Sequence, residues 1–146
     1  MSAVLVFANL FFAGVLAGFE LMVRFGVRGP LAALDDVPHL KLRIGLIGTL
    51  RILVPSAYVP AFLTGIAVVF TTDTGLLLRS AAVLAMLVWT VTTVAGTAPL
   101  NSAVYEWDPT APPSDWRAVI HRWERMDTVR TVAATAAFGL LLVAAA

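Results

Sequence analysis

AVLVFANLFFAGVLAGFELMV, residues 3–23, is 21 consecutive residues with one ionisable side chain, Glu20. A helix needs roughly 20 apolar residues to cross the hydrocarbon core of a bilayer. The stretch therefore reads as a membrane span carrying a carboxylate. No basic residue precedes it, so it lacks the positive opening of a cleaved signal peptide and is expected to be retained. Three more apolar runs follow, at about residues 47–70 (interrupted by Pro55 and Pro60), 76–98 (ended by Pro99) and 129–145. Of 146 residues, 60% are apolar and 13% charged. Soluble globular chains hold nearer 45–50% and 25%, so water could not cover this much hydrocarbon with so few charges. The expected fold is all-α, an integral membrane four-helix antiparallel bundle, with residues 1–146 as a single transmembrane domain.

The remaining composition excludes several function classes. There is no cysteine, which removes disulfide frameworks, thiol redox chemistry and cysteine nucleophiles. A net charge of +1 is too small to argue for nucleic acid as a partner. The two histidines, His39 and His121, fall outside the four spans, where they could not ligate a haem held between membrane helices.

The spans are joined unequally. Thr71–Gly75 is a tight link, whereas residues 24–44 and 99–127 form long connections. In the first of these, Gly29-Pro30 reads as a turn and Asp36 as a helix cap ahead of Pro38. In the second, Pro109, Pro112 and Pro113 lead to Ser114, a cap for a helix beginning at Asp115. Uninterrupted to the end of the chain, that helix would be roughly 48 Å long and would extend beyond the bilayer. Arg24, Arg28, Lys41, Arg43, Arg117, Arg122 and Arg125 all lie in the long connections, and only Arg79 borders the short link. The positive-inside rule then predicts a cytoplasmic (inner) membrane location with the long connections cytoplasmic, the fourth helix extended into the cytoplasm and both termini outside.

Ionisable groups are costly in a bilayer and usually face the interior of a bundle. Here every span brings a polar or charged group to the same level: Glu20 near the end of the first, Arg51 at the start of the second, Asn101 just after the third, and Asp127 and Arg130 at the opening of the fourth. Helical spacing places Asn9, Ala13, Ala17 and Glu20 on one face. Thr90, Thr93, Thr97 and Asn101 form a second stripe, Arg51, Pro55 and Tyr58 a third, and Trp116, Ile120, Trp123, Asp127 and Arg130 a fourth. Gly14-x-x-x-Gly18 offers a small-residue face for close helix contact. The same residues also suit plainer roles. Glu20, Arg24, Arg51 and Arg79 can snorkel to headgroups, and Trp107, Trp116 and Trp123 fit an interfacial aromatic belt.

Three segments, Ala13–Glu20, Pro99-Leu100-Asn101, and Asp115-Trp116 continuing through Trp123 to Arg130-Thr131, give the chain a resemblance. It resembles the anthrone oxygenase-like family of small four-helix membrane proteins, many of unknown function. The resemblance implies asparagine where this chain has Asp127. It further implies oxidation of polyketide anthrones to anthraquinones by some members.

On that basis the expected activity is oxygenase-like, of the monooxygenase type, on an aromatic polyketide or similar hydrophobic phenolic carbon acid, with dioxygen as partner. Glu20 would be the base, Arg51 or Arg130 would stabilise the enolate oxygen, and Asn101 would orient the substrate. Tyr58, Trp116 and Trp123 would stack on a flat ring, with Asp127 beside them. No cofactor is required in this scheme. A lower-ranked variant binds iron or copper through Glu20, His39, His121 and Glu124, the last two spaced to face one site. Two other classes remain: a proton-coupled exporter using Glu20, disfavoured by the long connections and by the nearness of Glu20 to one surface, and a non-catalytic accessory subunit. Small-residue faces leave a homo-oligomer open.

Overall fold

The computed structural model describes residues 2–146. Four long helices make up nearly all of it: α1 (Ala3–Ala32), α2 (Asp36–Thr71), α3 (Leu76–Tyr105) and α4 (Trp116–Ala145). Each is long and apolar enough to span a bilayer. In the antiparallel ring, α1 packs on α2 and on α4, α4 packs on α3, and the α2–α3 seam is the loosest.

The helices run further than the apolar stretches suggested. At 1.5 Å per residue they measure roughly 45–54 Å, against a hydrocarbon core of about 30 Å. Not α4 alone but all four extend at the same end of the bundle. The expected long connections shrink accordingly, to residues 33–35 and 106–115. Gly29-Pro30 is no turn, because it lies within the helical segment Arg28–Ala32. Pro99 does not end the third span either, since it sits in the first turn of the segment Ala98–Tyr105, where the missing N–H is tolerated. Both places follow a π-helical turn, Met22–Val27 in α1 and Thr93–Thr97 in α3. In a wide turn N–H groups already seek more distant carbonyls, so the helix restarts without a break.

Pro55 and Pro60 lie inside α2 without stopping it. Nearby hydroxyls add bonds to helix carbonyls around the two prolines, Ser56 to Leu53 O at 2.6 Å and Thr64 to Pro60 O at 2.5 Å. The helix starts also sit one residue from their expected caps. Asp35 rather than Asp36 precedes α2, and Asp115 rather than Ser114 precedes α4, neither with a side-chain cap bond. In the α3–α4 connection, hydrogen bonds from Thr110 hold the exposed Asp108 carboxyl below the usual aspartate range.

The main core is built from small residues. Ala13, Ala57, Ala61, Ala82, Ala134 and Ala137 are all buried and bring the helix backbones close. Gly14 takes part, since a Cβ there would meet the Phe138 ring at 3.1 Å, but Gly18 is exposed with nothing near it. Only half of the expected glycine pair is used. A smaller core of Ile47, Val104 and Ile120, packed with Trp107 and Trp116, closes the extended end. Between the two cores lies a cavity.

Candidate functional site

The stripe on α1 packs as its spacing dictates: Asn9, Ala13, Ala17 and Glu20 are all buried. Asn9 donates to the Ala61 carbonyl at 2.8 Å and is satisfied far from the cavity. Glu20 is 2% exposed. It does not snorkel, and twelve further residues of α1 separate it from the helix end at Ala32.

Partners for the carboxylate come from α3 and α4. Arg130 Nη2 donates to Glu20 Oε1 at 2.6 Å, and Trp89 Nε1 donates to the same oxygen at 2.8 Å. The guanidinium of Arg130, 6% exposed, lies 4.7 Å from the centre of the Trp89 ring and donates through Nη1 to Thr97 Oγ1 at 3.1 Å. Opposite charges from separate helices therefore meet inside the protein. Attraction in such a dry setting is strong, and desolvation costs nearly as much. Among the described residues one buried side-chain donor has no partner, the Nε–H of Arg130. Asp127, 3% exposed, brings a second carboxyl beside that of Glu20.

These groups form one wall of a cavity of about 170 Å³. Glu20, Trp89, Asn101, Trp123, Asp127 and Arg130 contribute its polar lining, and α2 supplies Arg51 and apolar side chains such as Ile47 and Val54. Trp123 Nε1 donates to Asn101 Oδ1 at 2.6 Å, which fixes both side chains. Six of the eight catalytic and binding candidates thus line one space: Glu20, Arg51, Asn101, Trp123, Asp127 and Arg130.

Two do not. Tyr58 lies behind the wall, stacked on Trp89 with ring centres 4.4 Å apart and hydrogen-bonded to Thr90. Its hydroxyl finds a threonine, so the ring is drawn into the core and away from the opening. Trp116 belongs to the smaller core, edge-on to His39 at 5.7 Å.

The metal candidates also separate. Among the described residues no group of three or more histidine, cysteine or acidic side chains could hold an ion. Arginines occupy their donors. Glu20 faces Arg130. Glu124 is bound by Arg28 at 3.0 Å and Arg43 at 3.3 Å. His39, on α2 and not in a loop, accepts from Arg43 at 3.3 Å. His121 is 3.7 Å from Glu124 and largely exposed.

Two further arginines behave unlike the snorkelling expectation. Arg79 is 4% exposed and donates to Ala144 O and Thr74 O. Arg24 donates to Thr128 of α4.

Sequence reasoning missed Trp89 and Arg43. Trp89 is an indole in mid-span, and its N–H cannot find water there. That need for an acceptor was the available signal. Arg43 reads as a connection charge by composition, but α2 begins at Asp36 and carries it into the bundle.

Residues 47–140 match the family model described as anthrone oxygenase. The chain belongs to the anthrone oxygenase family. In this family member the match takes in α3 and most of α2 and α4, including Asn101, Trp123 and Arg130, and begins after α1 and Glu20. No curated protein and no solved structure matches it.

Proposed function

We propose that the protein is a membrane-embedded oxygenase that converts an activated methylene of a hydrophobic phenolic carbon acid to a ketone. The observation that carries this reading is the placement of the Glu20–Arg130 pair on the wall of a largely apolar cavity. Glu20 removes a proton from the methylene carbon, leaving an enolate. Its oxygen is stabilised by the positive charge of Arg130 while Trp123 and Asn101 position the ring. The enolate gives its electron pair to dioxygen, and the proton held by Glu20 returns to the terminal oxygen to complete a hydroperoxide on that carbon. Loss of the second C–H proton with the outer hydroxyl releases water and leaves the ketone. One methylene and one dioxygen thus become one carbonyl and one water, with no other reductant. Apolar walls favour the entry of oxygen and limit competing water.

The test is Glu20→Gln in protein reconstituted into lipid discs, following oxygen uptake and quinone absorbance with an anthrone. Turnover is expected to fall by about 10²–10⁴-fold, the usual worth of a positioned base, while the four-helix circular dichroism signal persists. Unchanged turnover would remove Glu20 from the mechanism. A proton-coupled transporter is the second reading, favoured by the burial of Glu20 among α1, α3 and α4. Glu20-dependent dye efflux from vesicles, with no oxygen uptake, would select it. The charge bias supports a cytoplasmic-membrane protein with the cavity end inside and both termini outside.

A further inference from the structure

The cavity has an outer continuation that the scheme above does not use. A second hollow of about 240 Å³ adjoins it along the loose α2–α3 seam. Ile47, Arg51, Ala98 and Asn101 line both spaces, and Tyr105 and Glu106 line only the outer one. Arg51 stands at the neck, with its guanidinium 4.5 Å from the centre of the Tyr105 ring. Its charge is free. Arg130, Arg43 and Arg28 each face a carboxylate, whereas among the described residues Arg51 makes no ion pair, even with Glu106 in the same hollow.

We propose that the outer hollow is a subsite for an acidic substituent of the substrate, a carboxylate on an aromatic ring system, held by Arg51 against Tyr105. This rests on the reading that the inner cavity takes an aromatic ring. Size is the first argument. A cavity of about 150 Å³ holds one benzene, so the inner space accommodates little more than one ring and a fused system must pass the neck. Charge is the second. The inner cation, Arg130, is already paired with Glu20, whereas Arg51 at the rim has no carboxylate partner and attracts an anion there. The two effects fix one orientation, acid outward and reactive carbon toward Glu20. Tyr105 holds the guanidinium over its ring, so the fork is presented to the opening at reduced entropic cost.

Equilibrium binding tests this without turnover. Wild-type protein in zwitterionic-lipid discs is titrated with 6-hydroxy-2-naphthoic acid and with 2-naphthol, reading tryptophan fluorescence against empty discs. The acid is expected to bind about tenfold more tightly, and Arg51→Gln should erase that preference while leaving 2-naphthol binding unchanged. Arg51→Lys should keep part of it, and Glu106→Gln should raise acid affinity a few-fold. Equal binding of the two probes, or a preference that survives Arg51→Gln, overturns the proposal. So does loss of both probes in Arg51→Gln. A headgroup phosphate is the other anion within reach of this side chain. A preference abolished by exchanging the lipid for an anionic one would assign Arg51 to the membrane surface and also overturn it. Glu20→Gln should keep the preference, so failure of the oxygenase chemistry and failure of this subsite give different results.

Discussion

The two ends of the bundle use the same kinds of polar side chain for opposite purposes. Near the Thr72–Gly75 turn, polar groups bond to backbone carbonyls. Arg79 reaches Ala144 O and Thr74 O, and Asn9 reaches Ala61 O at 2.8 Å, with a longer bond to Thr64 Oγ1 at 3.2 Å as its one side-chain partner. Gly75, in the left-handed conformation at φ +66, lets that turn close against Ala144. At the other end polar groups bond to one another's side chains across helices, as Glu20, Arg130, Trp89 and Thr97 do, around an open space. A backbone carbonyl is a fixed partner that satisfies a group permanently. Side chains meeting at a cavity can exchange partners with a ligand. Who the partner is, more than how buried the charge is, separates scaffold from site.

The sharpest way to break this contrast is a matched pair of arginine variants. Arg130→Met strands a buried carboxylate and is expected to cost roughly 3–5 kcal/mol, together with turnover, whereas Arg130→Lys should recover most of the stability. Arg79→Met removes bonds to carbonyls only and should cost roughly 1–3 kcal/mol with turnover per folded molecule unchanged. Thermal unfolding in detergent and oxygen uptake read both. A loss of turnover in Arg79→Met would erase the distinction.

A smaller effect sharpens the site itself. Trp89→Phe keeps the stack on Tyr58 but removes the N–H that holds Glu20 Oε1. A hydrogen bond to a charged group is worth about 1.5–3 kcal/mol, so the unfolding midpoint should drop and turnover should fall at saturating substrate. Unchanged values of both would mean that Arg130 alone positions the carboxylate.

The smallest effect separates the two glycines. Gly18→Ala meets nothing and should stabilise α1 by roughly 0.5–1 kcal/mol. Gly14→Ala must displace the Phe138 ring and should gain less. Equal gains would show that α1 and α4 are looser at Gly14 than the geometry indicates.

The four-helix architecture was legible because twenty-odd apolar residues in water have no other resolution. The facing of Glu20 toward Arg130 was legible too, from spacing on two helices that each carry one costly charge. Helix ends were not. Arg24, Arg28, Gly29 and Pro30 look like a loop by composition, yet neighbouring helices that also continue give them something to pack on. Tyr58 was misplaced because spacing gives a helix face but not depth. Its face is right, while Trp89, unseen as a partner, stands between it and the opening. The arginines that claim Glu124 and His39 could be recognised only once α1, α2 and α4 were brought together.

Each wide turn in α1 and α3 has a bearing on how this chain lines up with its relatives. A π-type turn is in effect one extra residue inserted into a regular helix, and a single residue rotates everything beyond it by about 100°. A chain without the insertion after Glu20 would need a one-position gap there, and without it the position paired with Arg28 would lie about 100° around the helix. Alignments that slide through Met22–Val27 or Thr93–Thr97 ungapped would then pair inward residues with outward ones.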